Sequence, residues 1–164
     1  LLLYSQNKIL KTYRLEFTQK LPIDLDAAWD FFSSPMNLAE ITPKDMTFDV
    51  TTPNMRNTKM YPGLIITYKV SPLFGIKLNW VTEITHVKDK EYFIDEQRFG
   101  PFAFWHHQHR FEKVDGGVLM HDTLHYSVGW GPLGLVANAI IVENKINEIF
   151  KFRYQKVEEL FGKF

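Results

Sequence analysis

His107 and His109 stand in the run Trp105-His106-His107-Gln108-His109-Arg110-Phe111, ahead of a lone acid at Asp122. In an extended strand residues i and i+2 point to the same face, so the two imidazoles share a side. A carboxylate facing such a pair has several chemical uses. It can fix a tautomer and raise the basicity of His109, making a His109–Asp122 acid-base pair the candidate catalytic group. The same pair can anchor a polar atom of a ligand, and two imidazoles with one carboxylate can ligate a metal. The plainest use is mutual satisfaction, because a buried polar group left without a partner costs about 1–3 kcal/mol.

Whether these groups meet depends on the reversal between them. Asp115-Gly116 is a favourable two-residue turn, and it pairs Val114 with Gly117. Counting outward sets Phe111 opposite Met120, His109 opposite Asp122, His107 opposite Leu124 and Trp105 opposite Tyr126. That face is mostly apolar. The other carries His106, Gln108, Arg110 and Glu112 opposite His125, Thr123, His121 and Leu119, a composition that belongs in water. A one-residue slip at Gly116-Gly117 would exchange the two faces.

The surrounding elements follow from periodicity. Tyr13, Leu15, Phe17 and Gln19 alternate with charged or polar neighbours, which predicts a strand over Tyr13–Leu21 closed by Pro22. Asp24 or Asp26 can cap a short helix bearing Leu25, Ala28, Trp29 and Phe32, and a second helical turn is expected over Asn37–Ile41. Further strands are expected at Met46–Val50, Leu64–Val70, Lys77–Val87, Tyr92–Arg98, Phe102–Lys113 and Val118–Val128. Strands linked by short turns imply an antiparallel sheet. Beyond Gly131 and Pro132, apolar residues at three- and four-residue steps predict one long amphipathic helix over Leu135–Phe161.

Composition narrows the functions. The 164 residues suit one domain, divided as an extension over residues 1–11 and a single domain over 12–164. Nineteen basic residues balance nineteen acidic ones, so there is no positive field to hold a phosphate backbone, and no nucleic-acid partner is expected. No cysteine is present, which removes disulfides, thiolate nucleophiles and Cys-based metal sites. The apolar opening Leu1–Tyr4 ends at Ser5, far short of the ~20 residues that span a bilayer, and a cytoplasmic protein without a transmembrane segment is expected. There is no Gly-x-Ser-x-Gly elbow, phosphate-binding glycine loop, dinucleotide fingerprint or His-Glu-x-x-His. Fourteen Phe, seven Tyr and four Trp suit a large core or an apolar pocket.

The order of strand, two short helices, six strands and a long C-terminal helix resembles the SRPBCC (START-like, helix-grip) superfamily over Thr12–Gly162. Phe93-x-Asp95-x-Gln97, Gly100-Pro101-Phe102, Trp105-x-His107-x-His109-x-Phe111, Met120-x-Asp122 and Gly131-Pro132-Leu133-Gly134 resemble a bacterial ligand-binding subgroup of it. The resemblance implies an α+β fold: a curved antiparallel sheet of about seven strands wrapped around the last helix, with a cavity between them. It implies no metal and no cofactor, and it turns Phe93, Asp95 and Gln97 inward. The superfamily includes lipid carriers, hormone and allergen-type binders, and polyketide cyclases, so the fold does not choose among them.

The expected ligand-binding residues are therefore Tyr68, Trp80, Asp95, Gln97, Trp105, His107, His109, Asp122 and Tyr126, around a hydrophobic small molecule. Leu78, Ile84, Ile66 and Phe111 are further lining candidates. Leu73 and Phe74 form an apolar turn expected to gate the cavity or meet a partner. Two rival readings stay open: a polyketide cyclase or dehydratase-like enzyme using His109 and Asp122, and a regulatory interaction module using the Leu73-Phe74 turn.

Overall fold

A computed structural model describes residues 11–71, 76–129, 133 and 141–164. Seven strands form one antiparallel sheet: β1 (Tyr13–Leu21), β2 (Phe48–Val50), β3 (Leu64–Val70), β4 (Leu78–Lys88), β5 (Tyr92–Phe99), β6 (Phe104–Val114) and β7 (Gly117–Ser127). Their spatial order is β1-β7-β6-β5-β4-β3-β2. Successive strands from β2 to β7 are neighbours through short connections. β1 instead closes on β7, so the excursion between β1 and β2 must cross one face of the sheet.

That excursion begins with helix α1 (Leu25–Phe32). Pro22 ends β1 nearby, and Asp24 caps the helix by accepting the Ala27 N–H at 2.7 Å. Ala28, Trp29 and Phe32 lie at helical spacing on its buried face. The second helix expected from the sequence is only a 3-10 turn over Asn37–Ala39, followed by others at Lys44–Met46 and Met55–Asn57. Pro35 and Pro43 bracket the first of these, leaving too few residues for a stable α-helix.

The β6–β7 hairpin has the expected register, with His109 opposite Asp122 and His107 opposite Leu124. Gly116 takes a φ of 82°, a left-handed value that glycine adopts without a Cβ penalty. Gly117 lies against β1, where a Cβ would come within 1.9 Å of the Leu21 carbonyl oxygen. Both glycines thus hold the register, one through backbone conformation and the other through close approach. Across the β4–β5 pair the register shifts twice, between Val81 and Thr82 and between Ile84 and His86. Such bulges bend a strand and increase its twist, which curves this side of the sheet.

Helix α2 (Glu143–Phe161) lies on the concave face. Its buried residues are Ile146, Phe150, Arg153 and Val157, one stripe at steps of four, three and four. Phe150 stacks on Phe17 of β1 with centroids 3.8 Å apart and planes at 7°. Gln19 donates its side-chain N–H to the Tyr154 carbonyl at 2.9 Å. The part of the expected long helix over residues 135–140 lies outside the described residues, as do residues 1–10 of the N-terminal extension and the proposed gate, Leu73 and Phe74. No described helix is long and apolar enough to cross a membrane.

Candidate functional site

Between the concave sheet face and α2 lies a cavity of about 440 Å³, within the range of small-molecule sites. Its lining is aromatic and aliphatic: Tyr68, Trp80, Ile84, Phe102, Trp105 and Phe150 are representative. Trp80 and Trp105 meet edge to face at 5.1 Å, and Phe102 packs against both. Each indole N–H has a partner at the sheet. Trp80 donates to Thr82 Oγ1 at 3.1 Å and Trp105 to Asp95 Oδ1 at 3.3 Å, so neither indole turns an unpaired N–H into the cavity that both rings line.

His107 and His109 line the same cavity at 5% and 7% exposure. Alternation along β6 turns both inward, and β5 and β7 bring an acid to each side. Asp122 Oδ1 lies 2.9 Å from His107 Nε2 and 2.8 Å from His109 Nδ1. Asp95 Oδ2 lies 3.0 Å from His109 Nε2 and 3.4 Å from His107 Nδ1. All four ring nitrogens therefore face carboxylate oxygens, in a closed His–Asp–His–Asp arrangement. Phe93 stacks on the His109 ring at 4.3 Å and fixes its plane.

The electrostatics follow from this closure. Burial alone would push His107 down, but the hydrogen bonds to Asp122 and Asp95, with their charges, outweigh it and raise its pKa to about 9. Burial alone would raise both acids, yet the two histidines hold Asp95 and Asp122 well below the usual carboxylate range. Tyr68 is held far above the ordinary phenol value, first by burial and then by the Asp95 charge, so it faces the cavity as a neutral hydroxyl.

The sequence-expected residues separate into three groups. Tyr68, Trp80, Asp95, Trp105, His107 and His109 line the cavity together. Asp122 and Tyr126 are buried at 2% and 0% and do not line it: Asp122 stands behind the two imidazoles, and Tyr126 packs with Leu124, Val128 and Phe150. Gln97 leaves the polar cluster altogether. Its amide clamps the β5–β6 turn, donating to the Phe102 carbonyl at 2.7 Å while its oxygen accepts the Phe102 N–H at 3.3 Å. The resemblance turned Gln97 inward with Asp95, and the β4–β5 pairing does run unbroken from Ile84–Asp95 to Thr82–Gln97; its amide reaches along the strand to the β5–β6 turn instead of to the histidines. Of the further candidates Ile84 lines the cavity, whereas Ile66 and Phe111 belong to the buried core.

Several lining residues were not expected, Phe102 and Phe150 among them, and one is a buried charge. Arg153 is 9% exposed and lines the cavity, with its guanidinium 4.9 Å from the Phe150 ring centre. Its signal was positional: it falls three residues after Phe150 and four before Val157, on the buried stripe of α2. Asp95, His107 and His109 also offer ligand atoms within 4.8 Å of one another, close enough to hold a metal ion. The residues fit that role chemically: Asp122 holds His107 Nε2 and His109 Nδ1, and the other nitrogen of each ring faces Asp95.

A concave seven-stranded antiparallel sheet, closed β1 to β7 and gripping a C-terminal helix over a cavity, decides the fold. It is a helix-grip fold. Protein CV1439 from Chromobacterium violaceum superposes with a TM-score of 0.68 at 12% identity, covering 92% of this chain and 99% of its own. Major latex-like protein 151 from Panax ginseng superposes with a TM-score of 0.66 at 13% identity, covering 92% and 97%. Protein Ms6760 from Mycobacterium smegmatis gives 0.64 at 18% identity, covering 92% and 94%. At these identities the likeness extends to the helix grip as a fold. No family model matches the chain, and no curated protein matches it.

Proposed function

We propose that this helix-grip domain binds or carries a hydrophobic small molecule, lipid-like or aromatic, inside the cavity under α2. The observation that carries the reading is the cavity itself: about 440 Å³ walled mainly by aromatic and aliphatic side chains. Removing a ligand's apolar surface from water contributes about 25 cal/mol per Å², several kcal/mol for a molecule of that size, which leaves micromolar affinity after association costs. The His107–Asp95–His109 patch would orient the ligand.

Binding is favoured over acid-base turnover because one nitrogen of each ring is hydrogen-bonded to a carboxylate and the other also faces a carboxylate oxygen within 3.4 Å. A general base needs a free nitrogen within reach of the proton it abstracts. A cyclase-like reaction would first have to open this closed arrangement.

Titration with N-phenylnaphthylamine, a neutral dye that brightens in apolar surroundings, tests the proposal. Saturable uptake is expected, and Ile84→Phe, which projects a larger side chain into the cavity, should weaken it by about tenfold or more while the variant stays folded. Uptake that is absent, or equal in both proteins, would overturn the reading.

A further inference from the structure

The cavity contains one strong donor that the fold leaves unused. Arg153 is nine-tenths buried, its Nε has no hydrogen-bond partner, and it makes no ion pair among the described residues. A buried guanidinium is ordinarily paired, because its desolvation must be offset by a partner. Here burial lowers its pKa, and only the more distant charges of Asp122 and Asp95 act against that. The two acids are committed to the histidines.

We propose that Arg153 is the recognition residue for a carboxylate on the ligand, so that the cavity takes a hydrophobic carboxylic acid rather than a neutral hydrocarbon. This rests on the cavity-binding reading above. The planar guanidinium matches a carboxylate in a two-bonded fork, supplying the contact that the protein withholds. The stack over Phe150 orients that fork, and Phe150 itself lines the cavity, so the acid's apolar body and its head would meet adjacent residues. A single charge suits the site better than a double one. Asp95 and Asp122 already balance the cationic Arg153 and His107, so a carboxylate adds one uncompensated negative charge to the enclosed region and a phosphate dianion adds two, the costlier excess.

The test compares dodecanoate, dodecyl phosphate and dodecanol, three probes with one chain and different heads, by isothermal titration of the full chain. Dodecanoate is expected to bind about tenfold or more tightly than dodecanol, the step that one charge-assisted contact supplies, and more tightly than dodecyl phosphate. In Arg153→Met the ratio between dodecanoate and dodecanol should collapse towards one. Arg153→Lys, which keeps the charge but loses the fork, should retain part of it. Equal binding of dodecanoate and dodecanol by the unmodified protein, a preference that survives in Arg153→Met, or tighter binding of the phosphate would each overturn the carboxylate assignment while leaving the cavity reading intact. Uptake of none of the three would overturn both.

Discussion

Asp95 on β5 and Asp122 on β7 stand on opposite sides of the same two imidazoles, each presenting a single carboxylate oxygen to both His107 and His109. The strand between them, β6, supplies both histidines, so three neighbouring strands are tied by one polar cluster at the cavity wall. The acids nevertheless differ. Asp95 keeps 18% of its side chain exposed and lines the cavity, whereas Asp122 is sealed at 3%.

Asp122→Asn should therefore be a stability variant before it is a binding variant. Removing one partner of a buried ion pair typically costs about 3–5 kcal/mol, because the remaining charge is left uncompensated. Urea denaturation should show a loss of that order, and imidazole NMR titration should show the His107 pKa falling as burial regains control. A denaturation midpoint unchanged from the unmodified protein would contradict the closed arrangement.

The pH dependence has a defined sign. The folded-state pKa of His107 is raised from 6.5 to about 9, so its contribution to stability is fully present below pH 6.5 and is lost as the pH rises through about 9. Asp95 and Asp122 are depressed, so theirs is present above the usual carboxylate value of 3.8 and is lost as the pH falls. Asp95, Asp122, His109 and Arg153 are the titratable and charged groups around His107. Between pH 6.5 and 9 the unfolding free energy should decline by up to about 3 kcal/mol, and His107→Gln should flatten that decline. A slope equally steep in His107→Gln would assign the effect elsewhere.

Gly117→Ala tests how the register is held. The added Cβ would sit 1.9 Å from the Leu21 carbonyl oxygen, so β1 and β7 must separate locally. A loss of roughly 2 kcal/mol or more is expected by thermal denaturation, in the range of substitutions that force backbone to move. Gly116→Ala should cost about 1–2 kcal/mol for its left-handed backbone alone. An alanine at 117 with no measurable effect would show that the β1–β7 approach is looser than described.

Much of this was legible because sheet patterns have a short period. The Asp115-Gly116 reversal and the alternation of β6 and β7 were enough to turn His107, His109 and Asp122 inward, and Tyr13–Leu21 and Leu64–Val70 are strands with the expected ends. Three features were not legible, for separate physical reasons. Gln97 shares a strand face with Asp95, but which partner its long side chain reaches along that face is set by the β5–β6 turn and not by strand alternation. Arg153 occupies an apolar position of α2, and a charged residue in a buried stripe is read by default as solvent-facing until coordinates show that it is enclosed. The diagonal pairing of His107 with Asp122 was also hidden, since side-chain reach rather than strand register sets it.

The central claim is that a ligand enters the space under α2. The most direct measurement is a crystal structure of the protein grown with bromododecanol, with the bromine located by anomalous scattering. The account predicts a bromine peak inside the cavity among Tyr68, Trp80, Ile84 and Phe150, with the sheet and α2 still separated around it. Those side chains closed against one another, with bromine absent or found only on the outer surface, would contradict it.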